Sequence, residues 1–135
     1  MFVKKALYDE WKGSIDYGGM VEVLSWDTAE GLIHPLDGLK HTQVIFTDEE
    51  DSLICIGGGN EGFYNVYITL DDNESFYDLI NPDGRSDKVL QLITGGQIGD
   101  FEEDICVTLD KVLLAAKTFC IEGVVEKDLT WNYRT

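Results

Sequence analysis

The fold is most strongly constrained by a run of short apolar segments between residues 42 and 94, which are separated by turns rich in glycine, asparagine and acidic residues. Residues 43–47 and 63–70 alternate between apolar and polar side chains, and this period of two predicts strands. Residues 52–56 are almost continuously apolar, which is typical of a strand in the centre of a sheet. Because the turns are short, consecutive segments are expected to pair as antiparallel neighbours.

Further strands are predicted where apolar and β-branched residues recur, at residues 2–7, 20–24, 75–80, 88–94 and 105–107. The first two of these segments can pair with each other as a hairpin. The glycine-containing residues 9–19 and the polar residues 95–104 are predicted to be loops.

A long helix is predicted between Thr108 and Gly123, which suit an N-cap and a left-handed C-terminal stop. Its apolar residues recur at the spacing of one buried helical face, at Leu109, Val112, Leu113, Ala116, Phe119 and Cys120. A shorter helix is predicted to start after Ser25 or Asp27 and to end or kink at Pro35. Together these elements predict one α+β domain over residues 1–135. We expect a mostly antiparallel β-sheet of about five to seven strands with two helices packed on one face.

The charge of the chain is strongly acidic, since 10 basic residues against 26 acidic residues give a net charge of −16. Such a chain repels nucleic acid and anionic membranes and attracts basic proteins, so neither a nucleic-acid partner nor a membrane partner is predicted. The acidity also favours solubility, and that alternative, in which the charge has no part in binding, stays open.

The cellular compartment is predicted to be the cytoplasm. The N-terminus lacks the apolar stretch of a signal peptide, and no run of about 18 apolar residues exists to span a membrane. The three cysteines, Cys55, Cys106 and Cys120, are flanked by apolar residues and are interpreted as small buried hydrophobes rather than as a disulfide framework.

Motifs that carry chemistry are weak in this chain. Residues 57–62 spell G-x-G-x-x-G, but a strand is predicted next where a dinucleotide site needs a helix, so a turn or bulge is the better interpretation. The acidic turn at residues 71–75 lacks the glycine and glutamate of a calcium loop. His34 and His41 have no second ligand at metal-binding spacing. We therefore predict no catalytic site, no cofactor and no metal.

Several short motifs resemble one known family when their order along residues 25–131 is considered. They are Ile56-Gly57-Gly58-Gly59, Tyr64-Asn65-Val66-Tyr67, Asn81-Pro82, Gly95-Gly96-Gln97, and Leu129-Thr130-Trp131 after the long helix. The chain thus resembles the first-numbered immunity protein family of bacterial polymorphic toxin systems. The resemblance implies a small cytoplasmic α+β protein that is not an enzyme. It would bind and neutralise a cognate toxin domain encoded next to it, of the deaminase or nuclease type.

Three acidic turns, at residues 48–51, 71–74 and 100–104, are the candidate contacts with a basic toxin domain. The last two stand beside motifs shared with the family, and they are preferred. The predicted partner-binding residues are Asp71, Asp72, Glu74, Asp100, Glu102, Glu103, Asp104 and Trp131. Trp131 has two interpretations: it locks the C-terminal tail at the edge of the core, or it anchors the partner interface.

An alternative function is a small acidic ligand-binding or interaction domain. It would use the glycine turn at residues 57–62 together with Tyr64, Tyr67 and Tyr77, and it predicts a deep pocket with convergent polar groups. In either case the chain is expected to be a monomer or a weak homodimer.

Overall fold

The computed structural model describes residues 1–135 and contains two α-helices, α1 (Trp26–Ile33) and α2 (Leu109–Glu122). The strands are β1 (Lys5–Tyr8), β2 (Trp11–Lys12), β3 (Ile15–Asp16), β4 (Gly19–Glu22), β5 (Gln43–Thr47), β6 (Leu53–Gly58), β7 (Tyr64–Thr69), β8 (Phe76–Leu79), β9 (Val89–Thr94), β10 (Gln97–Glu102) and β11 (Trp131–Arg134).

Seven of the strands form one sheet in the order β11-β8-β7-β6-β5-β1-β4, and every neighbouring pair is antiparallel. The remaining strands form two small hairpins, β2–β3 and β9–β10. The α+β class and the antiparallel sheet are therefore confirmed. Neither helix is long and apolar enough to cross a membrane.

The core lies between one face of the sheet and the two helices. Cross-strand partners Ala6, Phe46, Ile54 and Ile68 form a fully buried row on that face. The helices contribute Ala29, Ile33, Val112, Ala115, Ala116, Phe119 and Cys120 to the same cluster. Both helices thus cover the same face of the sheet, as predicted, and they leave the other face without a helical layer.

The helix ends follow local chemistry. The Ser25 hydroxyl accepts a hydrogen bond from the Thr28 amide, as expected of an N-cap, and α1 ends before Pro35. Gly123 has φ 72° and its amide donates to the Phe119 carbonyl, which confirms the left-handed stop of α2. Thr108 occupies the N-cap position of α2, but its hydroxyl bonds the Asp110 side chain instead of a backbone amide.

Three sequence predictions need correction. The segment 95–104 is not a loop, because β10 pairs with β9 across a two-residue turn in which Gly95 and Gly96 both have positive φ. Residues 103–105 form a short 3-10 turn rather than a strand, and Val107 makes only an isolated bridge to Tyr64. Residues 9–19 contain the short β2–β3 hairpin rather than a loop alone. Residues 9–19 and 95–104 are mostly exposed, so their side chains give little periodic signal. Cys106 and Val107 are buried, but a buried pair is too short to distinguish a strand from an extended connection.

Candidate functional site

The sheet face opposite the helices, here called the open face, has no helical layer over it. One row of cross-strand partners crosses all seven strands of this face, through Met20, Leu7, Ile45, Cys55, Tyr67, Asp78 and Asn132. At the β4–β1 side of the row, Met20 is 58% exposed and Leu7 is 44% exposed. An antiparallel sheet that faces water usually presents polar side chains there, so this apolar end departs from the usual pattern.

A cavity of about 480 Å³ lies over this apolar end and is here called the groove. Leu7, Met20 and Ile45 form its floor, together with Gln43. Its lining also includes residues of the two hairpin connections, namely Asp9, Asp16, Gly18, Gly19 and Gly95. The groove is therefore an apolar floor with polar and acidic groups around it.

Asp9 fixes the end of the groove that is bordered by the β2–β3 and β9–β10 hairpins. It is 6% exposed, and its carboxylate accepts from the Thr42 amide at 2.7 Å, the Gln43 amide at 3.0 Å and the Trp11 indole N–H at 2.8 Å. The Thr42 hydroxyl also donates to Asp9 and accepts from the Gly96 amide at 2.9 Å. One buried network therefore ties the β2–β3 and β9–β10 hairpins to the end of the sheet.

The middle of the open-face row is polar but not charged. Cys55 is 3% exposed, and the Gln43 side-chain amide donates to its sulfur at 3.2 Å. Burial raises the pKa of the Cys55 thiol to about 11, and burial also raises the pKa of the neighbouring Tyr67 hydroxyl well above its usual range. Both groups are neutral near pH 7, so this thiol is not a thiolate nucleophile.

The thiols of Cys106 and Cys120 also have raised pKa values, so all three cysteines are expected to react slowly. Burial raises the pKa of Cys106 to about 11 and that of Cys120 to about 12. Because the thiolate is the reactive form, we expect all three thiols of the native protein to react with dithionitrobenzoate roughly 100-fold slower than free cysteine. The release of thionitrobenzoate at pH 8 measures the rate, and protein unfolded in guanidinium chloride is the control. A native thiol that reacts at the rate of the unfolded chain would contradict the prediction.

Of the three acidic turns, the structure brings two together and places the third at the other end of the sheet. The turn at residues 71–74 meets the turn at 48–51, since the Asp72 amide donates to the Asp51 carbonyl at 2.8 Å. Residues 100–104 lie at the opposite end of β7, where Val107 bridges Tyr64 and the Ile105 carbonyl accepts from Asn65. The turns at residues 48–51 and 71–74 are therefore neighbours and are here called the joined turns. The turn at 100–104, which was preferred together with 71–74, lies apart from them.

Within the joined turns, the acidic side chains have different surroundings. Asp71 accepts hydrogen bonds from the Ser75 hydroxyl and amide and from the Thr69 hydroxyl, and these bonds lower the pKa of Asp71. Its carboxylate therefore organises the turn. Asp72 and Glu74 are exposed and make no ion pair within the chain. They remain predicted partner contacts.

The residues of the third turn also divide into two groups. Asp100 and Glu102 are exposed on β10. Glu103 accepts from the Arg85 amide at 2.9 Å and pairs with the Lys88 ammonium at 3.2 Å, and these contacts lower the pKa of Glu103. One carboxylate oxygen of Asp104 is buried without a hydrogen-bond partner within the chain. Binding of a partner by any of these four residues stays a prediction.

Trp131 lies on the helix-covered side of the sheet. It is paired with the buried Leu79, packs against the core, and donates its indole N–H to the Glu126 carbonyl at 2.9 Å. These contacts give Trp131 the first of its two predicted roles, which is to lock the C-terminal tail at the core edge. The second role, as an anchor for a partner, stays a prediction.

Sequence reasoning missed the floor of the groove. In β5 the buried Val44 and Phe46 alternate with Ile45, which is the apolar residue on the polar side of the pattern. Leu7 stands in the same relation to the buried Ala6 in β1. The signal in the sequence is an apolar residue at a position that alternation assigns to the solvent face. A single residue of this kind in a strand is common. Only the pairing of neighbouring strands brings several of these residues together into one patch.

The chain matches one known family over most of its length. The family model described as Immunity protein Imm1 matches residues 18–133, which covers β4 through most of β11. The match agrees with the resemblance seen in the sequence. No curated protein sequence matches the chain.

Proposed function

Since the chain belongs to the Imm1 immunity protein family, we propose that it binds and neutralises a cognate bacterial toxin domain of the deaminase or nuclease type, and that it does so without catalysing a reaction. The observation that carries this proposal is the family match over residues 18–133. The protein would act in the cytoplasm as a monomer or weak homodimer, and one copy would occupy one toxin domain.

The charge distribution supports a basic partner. A toxin domain that acts on nucleic acid must attract a polyanion, so its substrate cleft is expected to be basic. The chain has a net charge of −16, and the joined turns at residues 48–51 and 71–74 concentrate exposed carboxylates at one end of the sheet. Complementary charge of this kind accelerates encounter and excludes nucleic acid from the same cleft.

The proposal is tested with the toxin domain encoded by the adjacent gene. Calorimetry is expected to give a one-to-one complex with a dissociation constant on the order of nanomolar. Titration of the chain into an assay of base deamination or nucleic-acid cleavage is expected to abolish activity at one equivalent. The chain alone, assayed on the same nucleic acid, is the control. A toxin that remains fully active in the presence of excess chain would refute the proposed function.

The role of the acidic turns gives a second prediction. We expect the association rate constant to fall at least ~10-fold when NaCl is raised from about 50 to about 500 mM, because salt screens steering between exposed charges. The variant D51N/D72N/E74Q should lose most of this salt dependence, whereas E61Q/D83N/D128N removes the same charge from exposed residues outside these two turns and should retain it. Stopped-flow mixing measures both rates. The preferred turn at residues 100–104 is tested in parallel with D100N/E102Q.

A further inference from the structure

We propose that the groove on the open face is the docking surface for the toxin domain, and that it receives an apolar side chain of that domain bordered by basic residues. This inference rests on the proposed function and identifies the surface that performs it. It differs from the sequence-based choice of the acidic turns, which lie at the ends of the strands rather than over the sheet.

The floor of the groove is apolar and exposed. Leu7 and Met20 are direct cross-strand partners and are 44% and 58% exposed, and Ile45 extends the patch on the next strand. Side chains opposite each other in an antiparallel pair lie in mutual contact distance, so the three form one contiguous patch. Contiguous exposed apolar surface rimmed by polar groups is typical of protein interaction sites.

The surface around the floor of the groove is acidic. The cations of the open face are already paired, Lys5 with Glu49 at 3.4 Å and Arg134 with Asp78 at 2.6 Å. Asp16, at the groove wall, accepts only backbone amides, from Glu10 and Gly18, and the neighbouring Glu22 forms no ion pair. The charged residues that line the groove itself, Asp9 and Asp16, are both acidic, and this favours a basic rim on the occupant.

The same charges argue against a second copy of the chain as the occupant. A face-to-face dimer would bring together two chains with a net charge of −16 each and would place their unpaired carboxylates at one interface. Like-charge juxtaposition of this kind opposes association by several kcal/mol. A basic toxin domain carries the complementary charge.

Hydrogen bonds and packing fix the shape of the groove. Its floor is part of a paired sheet, and its hairpin end is tied down by Asp9 and Thr42, with the Trp11 ring packed against Gly96. A surface that is already ordered loses little conformational entropy on binding, and this favours tight complexes. The groove thus combines an apolar centre, an acidic rim and a fixed shape.

The test compares matched arginine substitutions in complexes with the adjacent-gene toxin domain. Leu7→Arg is expected to weaken binding roughly 100-fold and Met20→Arg at least ~10-fold, because each removes apolar contact and places a cation opposite a basic rim. Leu114→Arg is the control, since Leu114 is 41% exposed on α2, on the opposite side of the sheet, and should change affinity less than about 3-fold. Calorimetry measures the affinities, and thermal melts verify that each variant is folded.

A footprint that needs no substitution provides an independent measurement. The chain has two methionines, Met1 and Met20, both exposed. Oxidation of Met20 by dilute hydrogen peroxide should slow at least ~5-fold in the complex, and more than that of Met1, because a bound partner excludes the oxidant. Peptide mass spectrometry quantifies each sulfoxide.

The outcomes separate this inference from the proposed function. If the wild-type chain binds and neutralises the toxin while Leu7→Arg binds equally well and Met20 stays unprotected, the docking surface is wrong and the function stands. If the wild-type chain does not bind, the proposed function fails. If sedimentation shows a wild-type dimer that Leu7→Arg dissociates, the groove is an interface between two copies and the inference is overturned.

Discussion

The Asp9→Ala variant is expected to lose about 3 kcal/mol of unfolding free energy, although Asp9 lies at the end of a strand and outside the large apolar core. The substitution leaves the Thr42 amide, the Gln43 amide and the Trp11 indole N–H without their acceptor. The Thr42 side chain is fully buried, so water cannot replace the carboxylate there. Each unsatisfied buried donor costs about 1–3 kcal/mol, and partial rearrangement of the hairpin recovers some of the sum.

Urea denaturation followed by tryptophan fluorescence measures this loss. Asp16→Ala is the control because Asp16 also accepts two backbone amides, from Glu10 and Gly18, but these bonds are exposed and water replaces them. It should lose less than about 1 kcal/mol. Equal losses for the two variants would show that burial of the Asp9 network does not stabilise the fold. The Asp9 variant should also show faster amide exchange in the β2–β3 hairpin, since the network ties that hairpin to the sheet.

Gly59→Ala is the second substitution for which a large effect is expected, again about 3 kcal/mol. Gly59 has φ 102°, a backbone conformation that is strained for alanine, and a Cβ there would lie 2.5 Å from the Leu36 carbonyl oxygen. Because that contact is with backbone, relief requires a shift of the β6–β7 connection against the chain that follows α1. A melting-temperature decrease of roughly 10 °C is expected for a domain of this size.

Gly62→Ala separates backbone strain from steric overlap. Gly62 has φ 80°, but a Cβ at that position meets nothing within 4 Å. Gly62→Ala should lower the free energy of unfolding by about 1 kcal/mol, through backbone strain alone. Thermal denaturation of the two variants at one pH therefore isolates the contact with Leu36. If both variants melt at the same temperature, the close approach at Gly59 makes no difference to stability.

These glycines form the turn between β6 and β7, as the sequence interpretation of the G-x-G-x-x-G pattern predicted. A helix N-terminus is needed to hold a pyrophosphate, and here Gly59 is followed by a short 3-10 turn at Asn60–Gly62 and then by β7. The Gly58 and Gly59 conformations, with φ 97° and 102°, let the chain leave β6 and pass close to Leu36. The interpretation of the motif as a turn, made from the sequence, agrees with this geometry.

Elements whose signal is local could be predicted from the amino-acid pattern alone. The buried stripe of α2, its glycine stop, the Ser25 cap and the alternation in β5 and β7 arise from neighbours only a few residues apart. Family membership was also accessible, because it depends on the order of short motifs along residues 25–131. The β9–β10 hairpin could not be predicted from the sequence, because β10 has no buried side that would give its residues an alternating pattern.

The surfaces that these elements create depend on how the strands pair in the folded protein. The pairing of Leu7 with Met20 belongs to the β1–β4 hairpin expected from the sequence, but the pairing of Leu7 with Ile45 arises because β1 inserts between β4 and β5. The acidic turns at 48–51 and 71–74 become neighbours because β6 and β7 pair, while 100–104 moves to the other end of β7. The groove and the joined turns depend on contacts between distant residues. No local pattern encodes such contacts, because they follow from strand order and register rather than from the composition of any one segment.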